Sequence, residues 1–285
     1  MRALIDSDLT EKAIDFITRK AGGDNPFFIY LAYSQTHYPN LAHPEFEGAT
    51  GKGVWADILL QVDTYLGRVT QALEDAGVSD NTVVIFTADN GPEALQVGSS
   101  NISPTPAVQG SAGPWRGTLF TSLEGSLRVP FAIKWPDRIP AGAVSNGVVH
   151  SMDLFPTLAA FAGGSVPTDR AFDGIDQSDL FLGNQDTSNR EGVIVYMGEQ
   201  VFGVKWNDWK VMFKENSGVF GATETFDTPR VYNLLNDPHE RDNVLFPYTW
   251  VAEKAIPQLY EHASSFKKFP STPPGAPDPY VPPKH

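Results

Sequence analysis

The sequence contains no cysteine. Disulfide bonds, thiolate metal sites and cysteine nucleophiles are therefore excluded for these 285 residues. Basic residues are also scarce, with 21 Lys+Arg against 34 Asp+Glu and a formal net charge of −13. A surface that neutralises phosphate backbones carries basic clusters and usually the opposite charge balance, so nucleic acid is not an expected partner.

Long apolar runs are missing as well. No stretch approaches the roughly 18 apolar residues of a membrane-spanning helix, and the first residues lack the apolar core of a signal peptide. We therefore expect no membrane partner and no export signal on this sequence. The compartment stays unknown, with the cytoplasm as the default. A hydrophobic content of 41% with 19% charged residues is typical of a chain that folds around a sizeable core.

Helical and strand patterns alternate over the first 185 residues. Apolar spacing predicts helices over residues 8–20, 54–76 and 152–162, each with glycine close behind. Short apolar runs predict buried strands over residues 27–33, 82–87 and 129–135. This alternation is typical of an α/β fold with a largely parallel sheet flanked by helices. Residues 91–117, rich in Gly, Ser and Pro, predict a long loop.

The pattern changes beyond about residue 185. Four short strand-like runs follow at close spacing, with an Asn207-Asp208 turn between two of them, which predicts an antiparallel meander. Residues 250–266 have helical spacing. We therefore predict three parts: an α/β domain over residues 1–185, a small antiparallel sheet with a helix over 186–269, and a Pro-rich tail over 270–285.

Two polar residues follow the strand predicted at 82–87. In α/β folds ligands bind beyond the carboxyl ends of strands, and here Asp89 and Asn90 place a carboxylate beside an amide. Their oxygens suit a hard cation such as Ca²⁺ or Mg²⁺. The sequence Asp-Asn-Gly is also common in plain turns, so both interpretations stay open.

Histidine and arginine supply further candidates. His37 follows the strand predicted at 27–33 and suits a general acid or an anion-binding group, with a structural histidine as the equal alternative. His150 opens a predicted helix and is expected to cap it or to lie at the surface. Arg116 and Arg128 flank a loop and could each bind an oxyanion with two hydrogen bonds, although pairing with a carboxylate such as Glu124 is commoner.

Four segments stand in a characteristic order. They are residues 26–33 leading to His37-Tyr38-Pro39, residues 83–91 ending in Ala-Asp-Asn-Gly, residues 124–130 (Glu-Gly-Ser-Leu-Arg-Val-Pro), and residues 232–234 followed by Asp-Pro-His-Glu. In this order they resemble the sulfatase (arylsulfatase) family of the alkaline phosphatase superfamily. The resemblance covers nearly all of the chain before the Pro-rich tail.

The resemblance implies a Ca²⁺-dependent hydrolase of sulfate esters. It matches Asp89 and Asn90 to two metal ligands, and His37 to the histidine that contacts the sulfate. The family's nucleophile is a hydrated formylglycine made from the first residue of a Cys/Ser-x-Pro-x-Arg motif, which this sequence lacks. The family's sulfate-binding lysine falls on Leu119, for which Arg116 is a conjectural substitute.

We therefore expect the C-terminal portion of a sulfatase, without the N-terminal segment that carries the nucleophile. The metal site should be incomplete, turnover of a small sulfate ester weak or absent, and the exposed core surface covered in a homo-oligomer. Two alternatives stay open. One is a non-catalytic binding or assembly module. The other is a promiscuous hydrolase that acts on esters or phosphate esters through metal-bound water.

Overall fold

The computed structural model describes residues 2–93, 110–168, 172–216, 218, 221–270 and 275. Most of the loop predicted at 91–117 and nearly all of the predicted Pro-rich tail lie outside these residues. The helices are α1 (Arg2–Lys20), α2 (Val54–Asp75), α3 (Glu124–Leu127), α4 (Leu154–Phe161), α5 (Ser178–Phe181) and α6 (Thr249–Lys268). The strands are β1 (Val84–Thr87), β2 (Phe131–Lys134), β3 (Gly192–Met197), β4 (Gln200–Trp206), β5 (Trp209–Asn216) and β6 (Thr223–Asn233). Among the described helices, none combines the length and apolar character needed to cross a bilayer.

Helices α1 and α2 pack against each other. The buried residues of α1 recur at helical spacing, at Asp6, Thr10, Ala13 and Ile17, so that one stripe of the helix faces inward. In α2 the buried Ile58 and Tyr65 belong to a core cluster with Ala42 and Phe46. Helix α1 begins at Arg2, earlier than the predicted start at Asp8, and the additional turn lies beside the loop that contains His37.

The segment predicted as a buried strand over residues 27–33 is extended but pairs with no strand of the described chain. Its alternate residues are partly buried; Phe27, for example, has its ring 6.1 Å from that of Phe16 in α1. The residues between them are exposed, with Phe28 at 73% and Tyr30 at 85%. The prediction was therefore wrong on burial, because an apolar run becomes a buried strand only where neighbouring strands cover it.

The mixed α/β character is confirmed, but a largely parallel sheet is not found in the described residues. Strands β1 and β2 form a two-stranded antiparallel pair, with Val84 opposite Lys134 and Thr87 opposite Phe131. The other four strands form a separate antiparallel sheet. The parallel arrangement was inferred from helices that alternate with strands, and this inference requires the run at 27–33 to enter the sheet.

The predicted meander and the helix after it are confirmed. The sheet has the order β3-β4-β5-β6, and Asn207 adopts a positive φ of 51° in the tight turn between β4 and β5. One face packs on α6 through Val204, Val211 and Val231 against Val251 and Ala255. The opposite face has its own apolar cluster, formed by Val195, Phe202, Met212, Tyr232 and Leu234. The domain boundary near residue 185 stays a prediction.

An aromatic cluster joins α6 to the β4–β5 turn. The Trp250 ring lies 6.1 Å from that of Trp206 and 5.7 Å from that of Trp209, both edge-on. Tyr248 adds a further ring, 5.0 Å from Trp209. Such edge-to-face contacts add to the stabilisation that aromatic burial supplies.

Candidate functional site

The loop after the extended segment is fixed by the first turns of α1. The buried carboxylate of Asp6 accepts hydrogen bonds from the backbone N–H groups of Ser34 (2.7 Å) and Gln35 (3.0 Å). Nη2 of Arg2 donates to the backbone carbonyl of His37 at 2.9 Å. Two α1 side chains therefore fix the loop that contains His37, across sequence separations of 28 to 35 residues.

The ring of His37 is exposed. Its Nδ1 donates a hydrogen bond to the backbone carbonyl of Tyr38 at 2.5 Å. Because Nδ1 carries that proton, Nε2 holds the lone pair of the neutral ring and gains a proton only in the imidazolium. A protonated Nε2 can bind an anion or release its proton to a departing oxygen.

The candidate metal ligands lie just after β1. Asp89 is exposed, and no hydrogen bond or ion pair joins its carboxylate to the described residues. Nδ2 of Asn90 donates to the Gly91 carbonyl at 2.8 Å, which leaves the amide oxygen available. These oxygens fit a hard cation, but Ca²⁺ takes about 6–8 of them. The described chain holds no group of three or more residues suited to a metal, so Asp89 and Asn90 can supply only part of a coordination shell.

The turn that bears these two residues is packed tightly on the backbone of a second loop. The Gly91 N–H donates to the Ser126 carbonyl at 2.9 Å, and the Leu119 N–H donates to the Pro92 carbonyl at 2.8 Å. A Cβ placed on Gly91 would lie 1.9 Å from the Gly125 carbonyl oxygen. Only glycine permits this approach, so the backbone next to Asn90 is held by residues 117–126.

The second loop is in turn held by four fully or largely buried charged residues, Glu124, Lys205, Lys210 and Glu240, which we call the buried ion cluster. Lys210 Nζ lies 2.8 Å from a Glu240 oxygen and 3.2 Å from a Glu124 oxygen. Lys205 Nζ lies 2.7 Å from the other Glu124 oxygen. The Glu240 carboxylate also accepts the Glu124 N–H at 2.8 Å.

Burial and the neighbouring opposite charges shift the pKa values of this cluster in opposite directions. Burial alone would raise the pKa of Glu124, but the charges of Lys210 and Lys205 outweigh it and hold that pKa well below its usual range. Burial lowers the pKa of Lys205, and the neighbouring Glu124 limits that fall. The cluster is therefore a set of mutually dependent charges that are largely shielded from water.

The two loop arginines have different partners. Arg128 Nε donates to Glu124 at 2.6 Å, which is the local carboxylate pair expected from the sequence. Arg116 instead binds Glu215 of β5 with two hydrogen bonds of 3.1 Å and donates to the Glu240 backbone carbonyl at 2.9 Å. Its planar fork is thus already occupied by a carboxylate.

In the described chain, no hydrogen bond or ion pair joins the side chains of His37, Asp89, Asn90 and Arg116 to one another. The sequence analysis assigned no role to Lys205, Lys210, Glu215 or Glu240, although Glu240 ends one of the four segments that carry the family resemblance. One signal was present, since Lys210 interrupts the apolar run of β5. A lysine at an otherwise apolar strand position indicates a buried counter-charge elsewhere in the fold.

The sequence also matches known protein families. A family model described as Sulfatase matches residues 3–164. This chain belongs to the sulfatase family. A second model, described as N-sulphoglucosamine sulphohydrolase, C-terminal, matches residues 120–261, a range that contains the four-stranded sheet and much of α6.

Individual relatives agree with this assignment. The chain is 32% identical to N-acetylgalactosamine-6-sulfatase of Canis lupus familiaris over 276 residues, which is 88% of this chain and 51% of that protein. It is 32% identical to arylsulfatase A of Bos taurus over 261 residues, 86% of this chain and 49% of the relative. The crystal structure of the PsFucS1 sulfatase from Pseudoalteromonas sp. superposes with a TM-score of 0.85 at 29% identity, and the match covers 95% of this chain and 54% of that one. This sulfatase-family chain therefore spans about half the length of the relatives it matches.

Proposed function

We propose that this chain supplies the cation-binding turn and a sulfate-contacting histidine of a Ca²⁺-dependent sulfate ester hydrolase. The observation that carries the proposal is the turn at Asp89 and Asn90. It leaves two hard oxygen ligands available after β1, and the contact of Gly91 with Gly125 fixes it in place. The family membership of the chain supplies the reaction class.

Each residue has a defined task in this proposal. Asp89 and Asn90 would hold Ca²⁺, or Mg²⁺ in its place, through their side-chain oxygens. The bound cation would withdraw negative charge from the sulfate oxygens. His37, protonated on Nε2, would donate a hydrogen bond to a sulfate oxygen while Nδ1 keeps its bond to the Tyr38 carbonyl.

This chain differs from the family at the position of the cationic side chain that binds sulfate. Leu119 occupies that position and carries no charge. Arg116 is the candidate substitute from the sequence, but its bonds to Glu215 and to the Glu240 carbonyl support a structural role. We therefore propose His37, and not Arg116, as the anion contact supplied by this chain.

The 285 residues include neither a cysteine nor a Ser-x-Pro-x-Arg motif. We therefore propose that the chain by itself turns over aryl sulfates very slowly or not at all, because loss of a covalent nucleophile costs several orders of magnitude in kcat. The assay is release of the phenol from an aryl sulfate with and without Ca²⁺. Turnover comparable to that of complete sulfatases would overturn the claim that a formylglycine is needed.

Cation binding tests the proposed role of the turn at Asp89 and Asn90. Terbium, a luminescent substitute for Ca²⁺, should bind the wild-type chain in competition with Ca²⁺. An Asp89→Ala variant should lose most of this binding. Asp80→Ala is the matched control, since Asp80 lies in the short helical turn just before β1. Equal terbium affinity in all three proteins would refute the assignment of Asp89.

Assembly is a separate proposal. Residues 27–33 form an extended segment that pairs with no strand in the described part of the chain. The segment contains no charged residue and no proline, which are the residues that usually protect a strand edge. We propose that two copies of the chain pair through this segment in antiparallel fashion about a two-fold axis, which buries Phe28 and Tyr30.

Light scattering after size exclusion tests the assembly. The wild-type chain should form a dimer at micromolar concentration, and Tyr30→Lys should give a monomer. Tyr260→Lys is the control, because Tyr260 is 73% exposed on α6, outside the segment. A monodisperse wild-type monomer would contradict the proposal. If a dimer dissociates equally in both variants, the interface lies elsewhere.

A further inference from the structure

We infer that Lys210 and Glu240, which belong to the C-terminal part of the chain, are positioning residues for the cation-binding turn at Asp89 and Asn90. The inference deepens the proposed function, on which its cation-binding arm rests. Neither residue contacts the cation or the sulfate group; their effect passes through the backbone of residues 117–126.

The four-stranded sheet contacts the main chain of the loop directly. Lys210 is fully buried on β5, and its Nζ donates to the Ser122 backbone carbonyl at 2.8 Å. Glu240 is fully buried as well, and it accepts the backbone N–H of Glu124 at 2.8 Å. The sheet thus binds the main chain of the loop at two points as well as its charged side chains.

The loop in turn contacts the turn that bears Asp89 and Asn90. Ser126, two residues beyond Glu124, accepts the Gly91 N–H at 2.9 Å. The Gly125 N–H donates to the Arg116 carbonyl at 2.7 Å, which joins the two ends of the loop. The short backbone segment from Ser122 to Ser126, which Lys210 and Glu240 hold, is therefore joined by one hydrogen bond to the residue that follows Asn90.

The charges of the buried ion cluster depend on one another. Lys210 is the residue that bridges both buried carboxylates, Glu124 and Glu240. If Lys210 is removed, Glu240 loses this ammonium partner. Its carboxylate still accepts the Glu124 N–H, but it remains as a buried charge without the compensating charge of Lys210. We expect the loop to move away from β5, and the Gly91 to Ser126 bond to open with it.

Hydrogen exchange measures this coupling without any enzymatic activity. In Lys210→Met, the peptides that cover residues 86–93 and 116–128 should exchange at least about tenfold faster than in the wild-type chain. Peptides from α1 and α2 should be unchanged. Lys214→Met is the matched control, because Lys214 lies on the same strand and its Nζ binds Gln200 outside the buried ion cluster.

A milder variant keeps the test informative if Lys210→Met does not fold. Glu240→Gln keeps the size of the side chain and an oxygen for the Glu124 N–H, but removes the charge that Lys210 neutralises. It should also raise exchange at residues 86–93. Faster exchange confined to β5 and β6, with residues 86–93 unchanged in whichever variant folds, would overturn the inference.

Terbium titration separates this inference from the proposed function. In Glu240→Gln, terbium affinity should fall at least about fivefold, while Lys214→Met should bind as the wild-type chain does. If the wild-type chain binds no terbium but exchange at residues 86–93 still responds, the cation-binding function fails and the structural coupling stands. If terbium binds and neither its affinity nor the exchange rate changes, the positioning role is refuted.

Discussion

Replacement of Arg190 by methionine should be among the most damaging single changes in the described chain. Asp153 is fully buried, and Arg190 is only 9% exposed. Three contacts join them: Nε to each carboxylate oxygen (3.1 and 2.8 Å) and Nη2 to Oδ1 (2.6 Å). Nη2 also donates to the Asp173 backbone carbonyl. Among the described residues, the partners that the carboxylate keeps in Arg190→Met are the backbone N–H groups of His150 and Ile175.

The expected loss follows from the uncompensated charge. Breaking a buried ion pair by removing one partner costs about 3–5 kcal/mol, which corresponds to a fall in Tm of roughly 5–8 °C for a chain of this size. Urea unfolding and calorimetry measure both quantities. Arg19→Met is the control, since Arg19 pairs with Asp15 on the exposed surface of α1, where such pairs contribute at most about 1 kcal/mol.

Two further measurements can refute this reasoning. Asp153→Asn combined with Arg190→Met removes the buried charge and keeps an acceptor oxygen, so the double variant should be more stable than Arg190→Met alone.

Burial raises the pKa of Asp153, but its bonds to Arg190 and to the backbone outweigh that effect and lower the pKa. The wild-type stabilisation is therefore present above the unfolded pKa of an aspartate and is lost as the pH falls through the lower, folded value. In Arg190→Met the destabilisation should shrink in acid. A loss below about 1 kcal/mol at pH 7, or a double variant that is no more stable than Arg190→Met, would refute the account.

Two other changes test local features. Gly91→Ala should cost about 2 kcal/mol or more of unfolding free energy, because its Cβ would lie 1.9 Å from the Gly125 carbonyl oxygen. The control is Gly67→Ala, in an open position inside α2, which should stabilise the chain by about 0.5–1 kcal/mol. Equal effects of the two changes in urea unfolding would contradict the role assigned to the close packing at Gly91. Burial lowers the pKa of His150, whose Nδ1 accepts the Met152 N–H at 3.1 Å, so the folded state should lose stability as the pH falls through the ordinary titration range of histidine. His150→Asn, which keeps a capping oxygen, should reduce this pH dependence of Tm between about pH 7 and pH 5, and an unchanged dependence would show that other groups cause it.

Sequence reasoning succeeded where structure depends on near neighbours. The apolar periodicity of α2 and α6 and the close spacing of β3 to β6 are local patterns, and these elements appear as predicted. The cap at His150 is also local, since the ring and the Met152 N–H are two residues apart. The same holds for Arg128 and Glu124, which lie one helical turn apart.

The predictions that failed depend on contacts between residues that are distant in sequence. Residues 27–33 have the composition of a buried strand, but strand pairing depends on segments distant in sequence, and the described chain supplies none for them. The partner of Arg116 lies 99 residues away, at Glu215. Lys210 contacts Ser122 across 88 residues. The lysine inside the apolar run of β5 signals a buried counter-charge, but no local pattern identifies its partners. The contacts between the buried ion cluster and residues 117–126 were therefore visible only in three dimensions.

The aromatic cluster between α6 and the β4–β5 turn determines what fluorescence can report. Three of the six tryptophans of the chain, Trp206, Trp209 and Trp250, belong to it. Intrinsic emission will therefore be weighted toward the docking of α6 on the sheet, and much less toward the loop of His37. If emission changes at a lower urea concentration than far-ultraviolet circular dichroism, α6 detaches before the remaining helices melt, and a single unfolding free energy would not describe the molecule.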